Sequence, residues 1–232
     1  RSLIMLLSRN DILQRMEEGT IIIDPFDERN LGNSSYDVTL GSYYYREVQP
    51  DHVMRRSNNP IYNMYDKKDV DRVWGGEHFK AKSLDSYNMQ LENIKSDDKV
   101  IWLDPGESVL GHTREFIGGL VNVNTEMKAR SSMGRNFMTV CRCAGWGDVG
   151  YINRWTMEIT NNSRFHRIPL VVGRRVAQIT FSEVTEVTND YSYEKKAGSK
   201  YQTETSLDEL KKKWTPKQMI PRMWLDREVG ES

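Results

Sequence analysis

The second half of the chain consists of short apolar and β-branched runs separated by Gly, Asn, Asp or Pro. The runs are KVIWL, FMTVCRC, NRWTMEITN, IPLVV and RRVAQITF. Regular short strands with turn residues between them are typical of an all-β sandwich or barrel. We therefore expect a mainly β fold, with Cys141 and Cys143 packed as thiols within one of these strands.

Helical periodicity is found near the two ends of the chain. In SRNDILQRMEEG, Ser8 is a suitable N-cap and Gly19 a suitable stop, and SLDELKKKW begins with the capping-box pair Ser206 and Glu209. Between them, TIIID predicts a short buried strand, and SSYDVTLGSYYYREV predicts a strand or a bulged pair around Gly41. The sequence therefore predicts short N- and C-terminal helices on a β domain.

A polar stretch interrupts this pattern from about residue 46 to residue 98. It is rich in Asn, Asp, Lys, Arg and Tyr, and it contains few aliphatic residues. Long excursions of this kind usually form lids or partner surfaces. We interpret residues 1–232 as one domain with an insertion at about 46–98, with little core and room for a hairpin, and a C-terminal closing segment and helix at about 190–232.

Composition restricts the class of function. The chain has 232 residues with a formal net charge of zero, so bulk charge gives no reason to expect a nucleic-acid or membrane partner. No apolar run approaches membrane-spanning length, SLIMLLS is too short for a signal peptide, and two cysteines fit a reducing cytoplasm. Zinc-deaminase, P-loop and Rossmann motifs are absent from the sequence.

Residues 128–137, KARSSMGRNF, carry an unusual density of hydrogen-bond donors. Arg130 and Arg135 supply guanidinium forks that match phosphate oxygens, Ser131 and Ser132 add hydroxyls, and Gly134 allows close approach of the backbone. Such a cluster could hold a triphosphate. The alternative is a capped turn whose arginines pair with surface carboxylates.

Two carboxylates follow this cluster. Asp148 lies in the Gly-rich turn AGWGDVG, and Glu158 lies within the strand RWTMEIT. Alternation places Trp155, Met157 and Ile159 on one face of that strand, and Thr156 and Glu158 on the other. Glu158 is either an ordinary outward-facing residue or part of a pocket.

Ordered motifs along the chain resemble those of the dCTP deaminase branch of the dUTPase-like superfamily. They span residues 4 to about 204, excluding 46–98. The matching segments are LLSRNDILQRMEEGTIIIDPF, LGNSSYDVTLG, LDPGESVLGHTRE, RSSMGR, AGWGDVG, MEITN, GRRVAQITF, and Tyr193 with Lys200-Tyr201.

The resemblance implies a β-barrel or jelly-roll of the β-clip type that forms a homotrimer with active sites between subunits. It implies zinc-independent hydrolysis of dCTP to dUTP and ammonia, with Mg²⁺ carried by the triphosphate rather than by protein side chains. Glu158 would be the general base, assisted by Ser131, which orients the water, and by Arg135. The substrate-binding residues it implies are Arg130, Ser131, Ser132, Arg135, Asp148, Thr156, Met157, Glu158, Gln178, Tyr193 and Lys200.

Several positions depart from the family pattern and keep alternatives open. Gly147 and Val149 replace an aliphatic residue and a proline in the turn before Glu158, Asn153 replaces a glycine, and Arg142 replaces an apolar residue. The substrate could therefore carry a 5-substituent or a different number of phosphates. A bifunctional enzyme that gives dUMP, a dUTPase that uses Asp148, and a nucleotide-binding regulator without catalysis also remain open. Burial would raise the pKa of Glu158 and a nearby arginine, expected to be Arg135, would lower it, and the sequence does not decide which effect is larger.

Overall fold

The computed structural model describes residues 5–50, 60–185 and 206–230. The strands in these ranges are β1 (Met5–Leu6), β2 (Ile21–Asp24), β3 (Tyr36–Thr39), β4 (Tyr43–Arg46), β5 (Phe79–Lys80), β6 (Lys82–Ser83), β7 (Lys99–Leu103), β8 (Ser108–Gly119), β9 (Val123–Ala129), β10 (Met138–Thr139), β11 (Trp146–Gly147), β12 (Ile152–Asn161), β13 (Ile168–Val171) and β14 (Arg175–Glu183). The α-helices are α1 (Arg9–Glu17), α2 (Lys67–Trp74), α3 (Ser131–Arg135), α4 (Leu207–Lys213) and α5 (Arg227–Gly230).

Two larger sheets and one small sheet enclose the core. The first has the order β1-β14-β9-β11, with β3 also paired to β14, and the second has the order β10-β12-β8-β4-β5, with β2 also paired to β8. The small sheet has the order β13-β7-β6. Buried side chains from all three sheets form one apolar cluster, so the predicted mainly β fold is confirmed.

The long antiparallel pair β8 and β12 forms the centre of the second sheet. Its register places Leu110 opposite Glu158, and Ser108 opposite Thr160. Side chains along β12 alternate between buried and half-buried positions, as the sequence predicted. The apolar face of β12 therefore joins the core, and its polar face remains available for a site.

The segment around Gly41 differs from the expected single strand or bulged pair. β3 pairs with β14 in the first sheet, whereas β4 pairs with β8 and β5 in the second. The chain changes sheets at Gly41, where an added Cβ would lie 2.0 Å from Cε1 of the buried His112. Only glycine lets the backbone pass the imidazole ring at this point.

The insertion has more core than its composition suggested. Val70 of α2 is fully buried, and Leu84, Val100 and Trp102 form a small apolar cluster at the third sheet. β5 and β6 do not form the hairpin considered from the sequence, since β5 pairs with β4 and β6 pairs with β7. The segment is therefore bound to the main body by strand pairing.

The FMTVCRC run is a strand over only two residues, so the predicted strand position of the two cysteines is wrong. β10 ends at Thr139, and the φ angles of Cys141 and Arg142 are 56° and 38°. Positive φ values belong to turns rather than strands. Cys141 is buried and Cys143 is exposed.

Both terminal helices follow their predicted signals. Ser8 and Asp11 form a capping box at α1, and Gly19 has a φ of 74° just beyond the helix. The Ser206 side chain caps α4 by accepting a hydrogen bond from the Glu209 amide. The signals for helix boundaries are local, which explains why the sequence located these helices.

Helix α4 is fixed to the second sheet by residues in its middle. Leu210 packs with Phe116 and Ile152, and Lys211 makes a 2.6 Å ion pair with Asp24. Just after the helix, the Trp214 ring lies 4.6 Å from the guanidinium carbon of Arg154. The chain that follows α4 is thereby held beside β12.

We predict that Gly41→Ala destabilises the protein by about 1–3 kcal/mol, because the new methyl group overlaps the His112 ring. Thermal unfolding measures the change. Gly111→Ala is the control, since its added methyl group would meet Ile159 at 3.4 Å, an ordinary contact distance. The double variant Gly41→Ala/His112→Ala should lose less stability than the two single changes summed, and strict additivity would contradict the clash.

Candidate active site

A cleft of about 700 Å³ lies on the polar face of β12. Its lining comes from β8, from β12, from the loop between β10 and β12, from the insertion and from the segment after α4. The lining residues are Tyr62, Met64, Trp74, Leu110, Arg142, Ala144, Trp146, Asp148, Tyr151, Asn153, Arg154, Trp155, Thr156, Glu158, Gln218, Met219, Pro221 and Met223. The size lies within the range of small-molecule sites.

Glu158 is a half-buried carboxylate that points into this cleft. Its Oε2 atom is buried and has no hydrogen-bond partner among the described residues. Burial raises the pKa of Glu158 above its ordinary value, against a hydrogen bond from the backbone and the positive charge of Arg142, which both lower it. Burial therefore has the larger effect on the pKa of Glu158. The positive charge that opposes it belongs to Arg142 and not, as was expected, to Arg135.

Arg142 is an exposed residue of the cleft lining, and its side chain is fixed by two hydroxyl groups. Its Nη2 atom donates to Ser108 Oγ at 2.9 Å and to Thr160 Oγ1 at 3.0 Å. These hydroxyls are 2.7 Å apart and belong to residues that face each other across β8 and β12. The sequence singled out Arg142 as a departure from the family but gave it no role.

Asp148 lies at the rim of the cleft and is exposed. The indole Nε1 of Trp146 donates to its Oδ1 atom at 2.9 Å, and the amide of Tyr151 donates to its backbone oxygen at 3.0 Å. The turn is thus closed by hydrogen bonds although Val149 stands where the family has proline.

Gly147 is explained by the tryptophan behind it. A Cβ at Gly147 would lie 2.4 Å from the Trp155 ring and 2.3 Å from Thr125 Oγ1. Trp155 is itself buried, and its Nε1 atom donates to the backbone oxygen of Ile117 at 2.9 Å. The unusual glycine therefore makes room for a large aromatic residue under the turn that presents Asp148.

Thr156 and Met157 have different positions although both were predicted to bind substrate. Thr156 lines the cleft beside Glu158. The Met157 side chain is fully buried in the core on the opposite face of β12. Met157 therefore does not line the cleft, whereas Trp155, at the bulge in the β8–β12 pairing, does.

The predicted phosphate-binding cluster does not line this cleft in a single chain. Ser131, Ser132 and Arg135 are exposed on α3. Arg130 makes a 3.4 Å ion pair with Asp37, the kind of surface pairing that the alternative interpretation expected. Within one chain, the structure gives two separate groups: one around Glu158 and one around α3.

Gln178 belongs to the second group. It lies on β14 between Lys128 of β9 and Asp37 of β3. Arg175 adds a further cation there, 2.9 Å from Asp37. Tyr193 and Lys200, which were also predicted to bind substrate, lie outside the described residues.

The outer wall of the cleft comes from the insertion, which was expected to form a lid or a partner surface, and from the expected closing segment at about 190–232, but none of its residues was named as a site residue. Trp74 from the insertion packs with Leu110 and Met219. Gln218, one residue earlier, accepts a hydrogen bond from Asn153 at 3.4 Å. The one available signal was the presence of Tyr62, Met64 and Trp74, large apolar residues within an otherwise polar stretch.

The described residues contain neither a cluster of metal ligands nor a helix suited to spanning a membrane. Within residues 5–50, 60–185 and 206–230, no group of three or more His, Cys, Asp or Glu side chains could hold a metal ion. None of the helices in those ranges combines the length and apolar character needed to cross a bilayer.

Comparison with known proteins identifies the family. Residues 6–184 match the family model described as dCTP deaminase-like. The chain belongs to the dCTP deaminase-like family. This confirms the resemblance found in the sequence, and the match ends before the α4 region that supplies part of the cleft wall.

Curated relatives of the family cover nearly the whole chain. A protein named "dCTP deaminase, dUMP-forming" from Methanocaldococcus jannaschii is 30% identical over 206 residues, covering 88% of this chain and 94% of its own length. A protein of the same name from Methanococcus maripaludis is 29% identical over 203 residues, covering 88% of this chain and 93% of its own.

A solved structure supports the fold. The 2′-deoxycytidine 5′-triphosphate deaminase of Agrobacterium tumefaciens superposes with a TM-score of 0.51 and 15% identity, covering 78% of this chain and 50% of that chain. At this level of identity the likeness concerns the fold alone, and it confirms the fold class expected from the family.

We predict that Glu158→Gln raises the melting temperature at pH 7.5 and that the gain disappears near pH 4. Since burial raises the pKa of Glu158 in the folded state, ionising it costs stability as pH rises through that pKa. Below the ordinary pKa of glutamate, the carboxyl is protonated in both states and the cost is absent. Calorimetry at both pH values measures the difference.

The exposed Glu17→Gln is the matched control for this experiment, because its side chain has no burial cost to relieve. A gain of Glu158→Gln that is equally large at pH 4 and at pH 7.5 would show that it does not arise from the buried charge.

Proposed function

We propose that the protein removes the 4-amino group of dCTP by hydrolysis. The observation that carries this proposal is the buried, unpartnered Oε2 atom of Glu158 at the cleft, beside Thr156 and with Asp148 at the rim. A carboxylate with an open lone pair in a small-molecule cleft is a suitable general base. The choice of dCTP as substrate follows the names of the relatives, which are dCTP deaminases.

The chemistry assigns one proton path to Glu158. Glu158 accepts a proton from a water molecule as the water oxygen bonds to C4 of cytosine. As the water oxygen adds, the electron pair of the C4–N3 double bond shifts to N3. The same carboxyl then donates its proton to the 4-amino group, the bond from C4 to that nitrogen breaks, ammonia leaves, and the remaining proton on the C4 oxygen passes to N3 to give uracil. A pKa raised by burial suits both halves of this cycle, because the group must take up a proton and return it.

The phosphates require the second group of residues. Arg130, Ser131, Ser132 and Arg135 carry the donors that match a triphosphate, and they lie away from the cleft in one chain. We propose that a neighbouring copy in a homotrimer supplies these residues and Gln178 to each cleft, as the family resemblance implies. Tyr193 and Lys200 are proposed to complete this site.

The proposed product is dUMP. The sequence favoured dUTP as the product, with the bifunctional reaction as an alternative. The relatives at 29% and 30% identity are both named as dUMP-forming, which favours the alternative. In this proposal Asp148 activates a second water that attacks the α-phosphate, so that pyrophosphate leaves after deamination.

Magnesium enters the proposal with the nucleotide. Mg²⁺ typically binds substrate phosphates and keeps several waters. We propose that it arrives on the triphosphate and that the protein contributes no side-chain ligand. The arginines near α3 would then share the phosphate charge with the metal.

We predict that incubation of the purified protein with dCTP and Mg²⁺ gives dUMP, pyrophosphate and ammonia. Anion-exchange chromatography resolves the nucleotides, with dCMP, 5-methyl-dCTP and dUTP as parallel substrates. Glu158→Gln should abolish ammonia release and leave nucleotide binding nearly intact, because the amide keeps the shape of the side chain but accepts no proton.

Each other result of this assay has a defined meaning. Accumulation of dUTP with ammonia would restrict the activity to deamination. Tight binding of dCTP with no change in any nucleotide would favour the non-catalytic regulator. Full activity of Glu158→Gln would contradict the assignment of the base.

We predict that Glu158→Gln and Arg135→Ala are each inactive alone and regain activity when mixed. If each site takes Glu158 from one copy and Arg135 from its neighbour, a randomly mixed trimer has about a quarter of its sites intact. The proteins are co-refolded at equal amounts and assayed for ammonia. A mixture without activity, shown by light scattering to contain mixed oligomers, would place both residues in one chain's site.

A further inference from the structure

Arg142 lines the cleft but has no role in the proposed reaction as described above. Leu110 and Glu158 face each other across β8 and β12, and Ser108 and Thr160 face each other two residues further along. Residues two apart on a strand share a face. The two hydroxyls that fix Arg142 therefore stand directly beside the carboxylate, on the same face of the sheet.

The guanidinium is near Glu158 without forming an ion pair with it. Its charge acts on the Glu158 carboxyl, yet no nitrogen of Arg142 approaches a Glu158 oxygen within the 4.0 Å of an ion pair among the described residues. A direct pair would occupy the lone pairs of the base. Anchoring Arg142 on Ser108 and Thr160 supplies positive charge and leaves Oε2 without a hydrogen-bond partner among the described residues.

The backbone also holds Arg142 in this position. Cys141 and Arg142 both have positive φ angles, which are uncommon for residues other than glycine. Such conformations cost free energy, and they persist where the surrounding structure determines them. Here the buried Cys141 thiol donates to the Met127 oxygen, while the Arg142 side chain turns toward β8 and β12.

The other ionisable groups near Glu158 do not supply the positive charge that Arg142 provides. Burial, together with the negative charge of Glu158, raises the pKa of Cys141 to about 11, so that thiol is neutral at ordinary pH. Asp148 and Arg154 line the cleft, and Arg154 is engaged between the Phe116 and Trp214 rings. The tail contributes the uncharged Gln218 and Met219, and β8 contributes Leu110.

We propose that Arg142 is a positioning residue: anchored on Ser108 and Thr160, it holds a fixed positive charge in the cleft lining, so that the half-buried Glu158 is available as an ionised base. The inference rests on the proposed function for its catalytic consequence. The effect of the Arg142 charge on the ionisation of Glu158 does not depend on which nucleotide is the substrate.

The first test is the pH profile of kcat/KM for dCTP in Arg142→Gln and Arg142→Lys. Glutamine can still donate to the two hydroxyls but carries no charge, whereas lysine keeps the charge. Because kcat/KM reports the ionisation of the free enzyme, Arg142→Gln should be several-fold less active on the acidic side of the profile and should recover as pH rises. Arg142→Lys should restore most of the acidic-side activity.

The second test does not need activity. Glutamate labelled with ¹³C at the carboxyl carbon is titrated by NMR in the ligand-free protein, and Glu158→Gln identifies the signal of Glu158. The midpoint of that signal should move to higher pH in Arg142→Gln and stay near wild type in Arg142→Lys. The exposed Arg29→Leu, which removes a guanidinium beside Asp27 only, should leave the midpoint unchanged.

The outcomes separate the two proposals. If the titration shifts as expected but dCTP is not deaminated, the coupling stands and the proposed function fails. If the Glu158 midpoint is unchanged in a folded Arg142→Gln protein, the inference is overturned whatever the activity. Should Arg142→Gln not fold, Ser108→Ala/Thr160→Val releases the guanidinium, and an unchanged midpoint there overturns the inference equally.

Discussion

The pairing of β8 with β12 is the constraint on which the site depends. Because side chains alternate along a strand, a slip of one residue would exchange the two faces and bury Glu158 in the core. The register is held by the apolar face, where Met157 and Ile159 are fully buried. A bulge interrupts the pairing at Trp155, whose amide donates instead to Thr113 Oγ1. The same pairing thus secures the core and places Thr156 and Glu158 in the cleft.

This arrangement divides the chemistry between two surfaces. The groups proposed to contact the base lie on the polar face of the second sheet, and the groups proposed to bind the phosphates lie around α3 and on β14 of the first sheet. One chain therefore carries both kinds of group without bringing them together. In the proposed homotrimer, each interface between identical copies can bring the Glu158 cleft of one copy to the α3 group of its neighbour.

The sequence predicted what depends on local patterns. The alternation of β12 and the caps at Ser8 and Ser206 are consequences of spacing along the chain. The family resemblance, rather than spacing, grouped Asp148, Thr156 and Glu158, which line one cleft. The expectation of a mainly β fold likewise needed only the strand pattern and its turns.

The features that the sequence could not predict depend on contacts between segments that are distant along the chain. Gln218 meets Asn153 across 65 positions, and Arg142 meets Ser108 across 34 positions. The positive φ angles that end β10 early arise in the folded chain, because CRC has no glycine to signal a turn. The Met157 assignment followed a motif rather than the alternation that placed its side chain in the core.

The fit between Gly147 and Trp155 has a consequence for how this chain could have diverged from relatives with an aliphatic residue in the turn. A larger residue at position 147 and an indole at position 155 exclude each other sterically, since the added Cβ would lie 2.4 Å from the ring. A larger residue at position 147 therefore requires the indole and Thr125 to move or to be replaced by smaller side chains. The two positions are thus expected to be epistatic, since the effect of a substitution at one depends on the residue at the other.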